Sequence, residues 1–291
     1  HRSTMPEDAA RMARRLAGRS LGIVLSGGGA RAFSHIGVLE ELDAAGLVID
    51  RVAGVSMGAF IGGMYAMGMD GDEIDAHCFD EWVRRNPIGD YTLPRRALIR
   101  GERARAMLRR TYGTSCIEEL DRSFFSGSAE LRSGELVVHR WGPLWDAVGT
   151  SFAIPVLGPA QVRGRRILVD GSLVDNLPVA EMSSLGEGPV IAVDVKASVE
   201  RPPGRSAEGG GGAASADAEM RVPSLGETLA RVLLLGSTNT SENARRHADW
   251  TITPRSGGVG LLEFHQLDQA REAGRAAARE ALERVPASVL S

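Results

Sequence analysis

Lysine is nearly missing from this chain. Lys196 is the only one, so 33 of the 34 basic residues are arginine. Base composition of the coding sequence accounts for such a bias before a functional arginine surface does. Cysteine is scarce too. Cys78 and Cys116 are too few for a disulfide framework or a four-cysteine zinc site, and they read as buried or free thiols of a reducing compartment. A cytoplasmic location is therefore expected. No run reaches the roughly 18 apolar residues that span a bilayer, and no charged-then-apolar leader opens the sequence. Neither sign of charge dominates: the net charge is -3, which makes no case for nucleic acid. The 291 residues are 43% hydrophobic and 24% charged. That excludes whole-chain disorder and fibrous repeats, and allows one large α/β domain or two small ones. The first residue is His1 rather than methionine, so a piece of a longer chain is expected.

Met5, Ala9, Met12, Ala13 and Leu16 fall at helical spacing and predict an amphipathic entry helix within an N-terminal extension, residues 1–20. Leu21–Leu25 predicts a buried strand that stops at Ser26-Gly27-Gly28-Gly29. A helix from about Ala32 to Ala45 follows, closed by Gly46. Val52–Val55 reads as a second strand, and the chain from Ser56 as a second helix. This β-α-β-α order predicts an α/β fold with a mostly parallel sheet flanked by helices. Residues 72–120 read as mostly helical, with an arginine-rich cap helix over Ala97–Tyr112. Two strand-like runs in Ser123–Arg140 flank a turn at Arg132-Ser133-Gly134, a helix is expected near Leu144–Thr150, and strands at Ile167–Val169 and Val190–Val193. Residues 200–219, with Pro202-Pro203 and Gly209–Gly212, read as a flexible loop inserted in one domain spanning 21–291. A helix near Leu225–His247, a strand Trp250–Thr253 and a helix near Gln266–Val285 complete the expectation.

Three constellations carry chemistry. Gly54-Val55-Ser56-Met57-Gly58 fits G-x-S-x-G between a strand and a helix. Such a turn strains the serine backbone, needs the small neighbours Gly54 and Gly58, and lifts the hydroxyl to the carboxyl edge of the sheet, beside a helix N-terminus. A glycine-rich turn with an incidental serine is the plain alternative. Met57, Phe60, Met64 and Met67, on or near that helix, suit an acyl chain or pack as ordinary core. Ser26-Gly27-Gly28-Gly29-Ala30-Arg31 offers free backbone amides that bind anions. It serves either as an oxyanion hole or, because Gly27, Gly29 and Ala32 also fit G-x-G-x-x-A, as a dinucleotide site. Asp50 would then be the acidic partner, although it falls before the second strand when it should follow it. Asp170-Gly171-Ser172 follows a strand; it is a common turn, or a carboxylate base for Ser56. Among the histidines, His35 lies on the helix after the glycine loop, and His77 and His139 fall in the cap-like region. His247 and His265 come after Asp170 and would fit the order Ser…Asp…His, though neither has strong site character. No histidine–carboxylate cluster has metal-ligand spacing.

Taken together, these pieces resemble the patatin-like phospholipase family. Gly27-Gly28-Gly29-Ala30-Arg31 is similar to its oxyanion loop, Gly54–Gly58 to its nucleophile elbow, Asp170-Gly171 to its D-G-[GA] motif and Ser151–Pro155 to its S-x-x-x-P stretch. Residues around Leu185–Val195 and Gly257–Leu267 resemble bacterial relatives of neuropathy target esterase. The resemblance spans roughly 20–285. It implies a three-layer fold and a serine acyl hydrolase acting on fatty-acyl esters of lipids through a Ser56–Asp170 dyad. It also implies an oxyanion hole at Gly27, Gly28 and Gly29 with Arg31 nearby, and no metal or other cofactor. Two positions depart from the pattern: Ala32 stands where glycine is usual, and Ser172 where glycine or alanine is. A non-catalytic lipid- or anion-binding module on the same fold is the rival reading, and a dinucleotide-binding oxidoreductase a further one. Implied partners are a lipid or lysophospholipid substrate, with peripheral membrane contact. Cyclic-nucleotide-binding domains and a membrane anchor would lie in a longer parent chain.

Overall fold

The computed structural model describes residues 4–93, 97–195, 244–256 and 258–290. Eight strands make one sheet: β1 (Leu21–Leu25), β2 (Ile49–Val55), β3 (Ser123–Glu130), β4 (Leu136–His139), β5 (Gln161–Arg163), β6 (Arg166–Asp170), β7 (Val190–Val193) and β8 (Trp250–Ile252). Their order is β5-β6-β3-β2-β1-β7-β8, with β4 on β3. From β3 through β2, β1 and β7 to β8 every pairing is parallel. Those to β4, β5 and β6 are antiparallel. β3 is therefore the strand where the sheet changes sense.

Helices cover both faces. They are α1 (Met5–Leu16), α2 (Ser34–Ala44), α3 (Met57–Ala66), α4 (Gly71–Cys78), α5 (Glu102–Tyr112), α6 (Leu144–Ser151), α7 (Val179–Ser183), α8 (Leu267–Leu282) and α9 (Ala287–Leu290). β1 and β2 are buried along their whole length because they feed two cores at once. Ile23, Leu25 and Val52 pack with Ile36, Phe60 and Met64. Val24 and Ala53 face the other way, onto Phe125, Leu177, Val179 and Met182. α3 is apolar all round and buried at every position, as befits a helix between the sheet and other helices. α8 lies against α2, where Arg275 pairs with Glu40 and Arg279 with Glu41.

The arrangement is the three-layer α/β fold expected, with local corrections. The cap helix starts at Glu102, five residues after Ala97. Gly101 sits at φ 77, and Asp90 Oδ2 accepts from Glu102 N and Arg103 N, which fixes the start there. Strand β5 and helix α7 were not anticipated. The entry helix forms, but none of its residues is buried: Met5, Met12 and Leu16 are exposed. It is held by charge, Arg14 bonding Asp50 through Nε (2.8 Å) and Nη2 (2.6 Å). The loop at 200–219, and all but the end of the helix near Leu225–His247, lie outside the described residues. No helix among the described residues is long and apolar enough to cross a membrane.

Candidate active site

The parallel strands bring their carboxyl ends, and the loops after them, to one edge. β2 ends at Val55 and α3 begins at Met57, so Ser56 makes the turn alone, at φ 54 and ψ -127. A side-chain-bearing residue reaches that region only when its surroundings force it. The forcing is visible at the two flanking glycines. A Cβ on Gly58 would lie 2.3 Å from Leu25 O, and one on Gly54 would lie 2.5 Å from the Gly58 carbonyl carbon. Helix and strand approach too closely for any other residue, and Ser56 is held between them. Its amide donates to Ser151 Oγ (2.9 Å), which in turn donates to Gly127 O on β3 (2.7 Å).

Asp170 is the last residue of β6 and is 1% exposed. Its Oδ1 accepts two bonds from Ser172, from the amide at 2.9 Å and from the hydroxyl at 2.7 Å. Its Oδ2 is buried with no hydrogen-bond partner among the described residues. Burial raises the carboxyl's pKa above the ordinary range; the two Ser172 bonds pull it down, and the Ser56 side chain adds a weaker pull of the same sign. Ser56 and Asp170 are therefore neighbours, and the carboxyl keeps one oxygen open.

The loop after β1 runs beside them. Gly29 adopts φ 57, and a Cβ there would meet Leu261 O at 2.1 Å. The amides of Gly28 and Gly29 have no acceptor among the described residues. Gly27 is different. Its amide donates to Asn176 Oδ1 (3.0 Å), while Asn176 Nδ2 donates back to Gly27 O (3.2 Å). Arg31 turns its Nε onto Val259 O (2.7 Å). The expected anion-binding set thus separates into two open amides, one occupied amide and an arginine that pins a neighbouring loop. Ala32 sits in a 3-10 turn without positive φ, so alanine there costs no backbone strain.

A cavity of about 300 Å³ opens on Ser56 and Gly29. Its wall comes from Met57, Trp82, Leu108, Trp145, Phe152 and Phe264 among others. Trp82 stacks on Phe264 at 4.4 Å. Of the residues on or near the elbow helix that suit an acyl chain, Met57 lines the cavity, whereas Phe60 and Met64 belong to the core and Met67 packs against it. None of the described histidines lines it. His35 bonds Ser26 O through Nε2 (2.8 Å) and is fully buried; a carbonyl only accepts, so Nε2 carries the proton. Desolvation holds its pKa down at about 4, so the ring is neutral. Asp50, the acid a dinucleotide site would need, is buried at the start of β2 and occupied by Arg14. Ser151, in the S-x-x-x-P stretch, proves to position the Ser56 amide, a role not assigned from the sequence. Asn176 was missed; its one signal was its place six residues after Asp170.

An arrangement of a strained serine, a half-satisfied buried carboxyl, two open amides and an apolar cavity can perform acyl transfer. Comparison with known proteins places the chain in a family. Residues 23–183 match the model of the patatin-like phospholipase family, and the chain belongs to that family. It is 39% identical to an uncharacterized NTE family protein of Mycobacterium tuberculosis over 94% of this chain and 48% of the relative. It is 32% identical to the lysophospholipase NTE1 of Coccidioides immitis, over 96% of this chain and 18% of that one. The chain thus spans about half the length of the mycobacterial relatives. Its fold is similar to that of VipD from Legionella pneumophila, with a TM-score of 0.52 at 13% identity, covering 91% of this chain and 67% of that one.

Proposed function

We propose that this chain is a serine acyl hydrolase cleaving fatty-acyl esters of lipids. The observation that carries the reading is the pairing of a strained, buried Ser56 with an Asp170 whose Oδ2 has no other partner. Ser56 Oγ attacks the ester carbonyl carbon while its proton passes to Asp170 Oδ2. The negative charge on the carbonyl oxygen is held by the amides of Gly28 and Gly29 and by the N-terminal end of α3. Collapse expels the alcohol, which takes the proton from Asp170 and leaves an acyl group on Ser56. Water then gives its proton to Asp170 and attacks the acyl carbon; collapse breaks the bond to Ser56 Oγ, which takes the proton back from Asp170, and the fatty acid leaves. Burial favours this role, because a carboxyl with a raised pKa is a better base, and the Ser172 bonds pull against the rise.

A single-chain lysophospholipid is the proposed substrate, ahead of a diacyl phospholipid. Relatives named lysophospholipases support it, as does the modest volume of the apolar cavity. A cytoplasmic location with peripheral membrane contact fits such a substrate. Cyclic-nucleotide-binding domains would belong to a longer parent chain, outside residues 1–291.

The test is labelling with a fluorophosphonate probe followed by hydrolysis of lysophosphatidylcholine and its diacyl counterpart in the same mixed micelles. Wild type should be labelled and should prefer the monoacyl lipid. Ser56→Ala should be unlabelled and inactive, with its thermal transition retained. An unlabelled wild type would leave a binding module on this fold, and a diacyl preference would remove the substrate assignment alone.

A further inference from the structure

The cavity opens at a rim with its own chemistry. Three stretches of backbone lie side by side there: Thr92 N donates to Leu98 O (2.8 Å), Leu98 N to Val156 O (2.7 Å) and Ile99 N to Leu157 O (3.0 Å). Ile99, Leu157 and Pro159 from these stretches line the cavity. Their neighbours Tyr91, Leu93 and Val156 are 71%, 79% and 49% exposed, and Val162 on β5 is 67% exposed. Val156 is held at φ 69, a conformation β-branched residues avoid.

The charged residues of the same stretches are mostly arginines. Arg100, Arg103, Arg105, Arg163, Arg165 and Arg166 are all exposed, against two acids, Asp90 and Glu102. Asp90 is engaged in capping α5, and Arg163 is paired with Asp146. The others have no ion-pair partner among the described residues. This basic rim stands out in a chain that is net -3. Another exposed apolar group, Met5, Met12 and Leu16 on α1, lies at the opposite edge of the sheet. There Arg11 is paired with Asp8 and Asp50, Arg14 with Asp50, and Arg15 with Glu187. Exposed apolar side chains, unpaired cations and the way into the cavity coincide at the rim.

We infer that this rim is the face by which the protein docks on an anionic lipid surface, an inference that rests on the lipid-hydrolase reading. Tyr91, Leu93, Val156 and Val162 enter the boundary between headgroups and acyl chains, and the arginines meet lipid phosphates. Docking in this pose sets the cavity mouth against the lipid, so a substrate molecule passes from the surface to Ser56 without crossing water.

The test uses Ser56→Ala protein, which consumes no lipid, and sedimentation with vesicles. One set is phosphatidylglycerol and phosphatidylcholine in equal parts, the other phosphatidylcholine alone. Each cation near an anionic surface is worth roughly fivefold in partitioning. Binding to the anionic vesicles should therefore exceed binding to the neutral ones, and Arg165→Glu/Arg166→Glu should weaken it about tenfold or more. Leu93→Ser/Val162→Ser should weaken it comparably, while Met5→Ser/Met12→Ser/Leu16→Ser should leave it unchanged. In the background with Ser56 intact, the rim variants should hydrolyse a short, monomeric nitrophenyl ester as wild type does, which also shows that they fold. Absence of binding to anionic vesicles, rim variants that bind like the parent, or a loss produced by the α1 variant instead would overturn the inference. Failure of wild type to hydrolyse the monomeric ester would overturn the enzymatic reading and leave the vesicle result standing.

Discussion

The two ends of the parallel strands bury charge to the same depth and treat it in opposite ways. At the amino end, Arg51 is 1% exposed, yet its guanidinium donates to Ser20 Oγ (3.1 Å), Ser20 O (2.6 Å), Gly188 O (3.0 Å) and Pro189 O (3.2 Å), with Glu187 at 3.8 Å. Asp50 beside it takes both arms of Arg14. At the carboxyl end, Asp170 is equally buried but keeps Oδ2 open, two glycine amides have no acceptor among the described residues, and Ser56 sits in strained backbone. Burial therefore does not by itself mark the proposed reactive groups. Arg51 and Asp50 spend their bonding capacity within the chain, whereas Asp170 keeps an oxygen open beside Ser56. A group satisfied internally stabilises the fold; one left half-satisfied in a dry site is held ready for a ligand, at a cost in stability.

That contrast can be broken, and the largest effect should come from Asp170→Asn. It should lower kcat/KM about 10²–10⁴-fold, as removal of a general base does, while the melting temperature holds steady or rises. Substituting His247 or His265 should cost little; a histidine variant as inactive as Ser56→Ala would replace the two-residue arrangement with a conventional triad. At the other edge the sign reverses. Arg51→Met should cost about 4 kcal/mol in denaturant unfolding, because several buried carbonyls lose their donor, and should leave kcat/KM of the folded fraction unchanged.

His35 lies near the reactive end but is predicted to behave like the amino edge. Its folded pKa of about 4 is below the ordinary 6.5. The unfolded chain therefore binds the extra proton first, and the stability from keeping the ring neutral is present above pH 6.5. It should be lost as pH falls from 6.5 towards 4, about 3 kcal/mol in all. Unfolding curves across that window should show the slope, and His35→Gln should flatten it. The smallest effect should come from Ser172→Ala. Without the hydroxyl bond to Oδ1, the Asp170 pKa moves further up, so the acid limb of the kcat/KM profile shifts to higher pH while the plateau changes little. A limb that stays in place would show that Ser172 does not tune the base.

The backbone geometry of the candidate site was legible in the sequence because it rests on local constraints. Gly54, Gly58 and Gly27–Gly29 mark the close approaches, and Asp170-Gly171 marks a strand end; each leaves a signature within a few residues. The parallel core was legible for the same reason, as short apolar runs between helices. The cavity wall was not. Trp82, Ile99, Trp145, Phe152 and Phe264 come from distant stretches with no shared period, and only tertiary packing gathers them. β5 is three residues long and largely exposed, so it carries no alternation to read. The start of α5 was misplaced because the residue that caps it, Asp90, lies twelve positions upstream of Glu102.

The bidentate link between Asn176 and Gly27 joins segments 149 residues apart in sequence. One segment carries the carboxylate strand end, the other the glycine amides, so the two are bonded directly to each other. The wall facing them is contributed largely by other stretches, near 82–108 and 145–161. Under the proposed function, reaction geometry and chain-length selection would be written in separate parts of the sequence. Redrawing the wall would then trade one acyl chain for another while leaving the Ser56 and Asp170 surroundings intact.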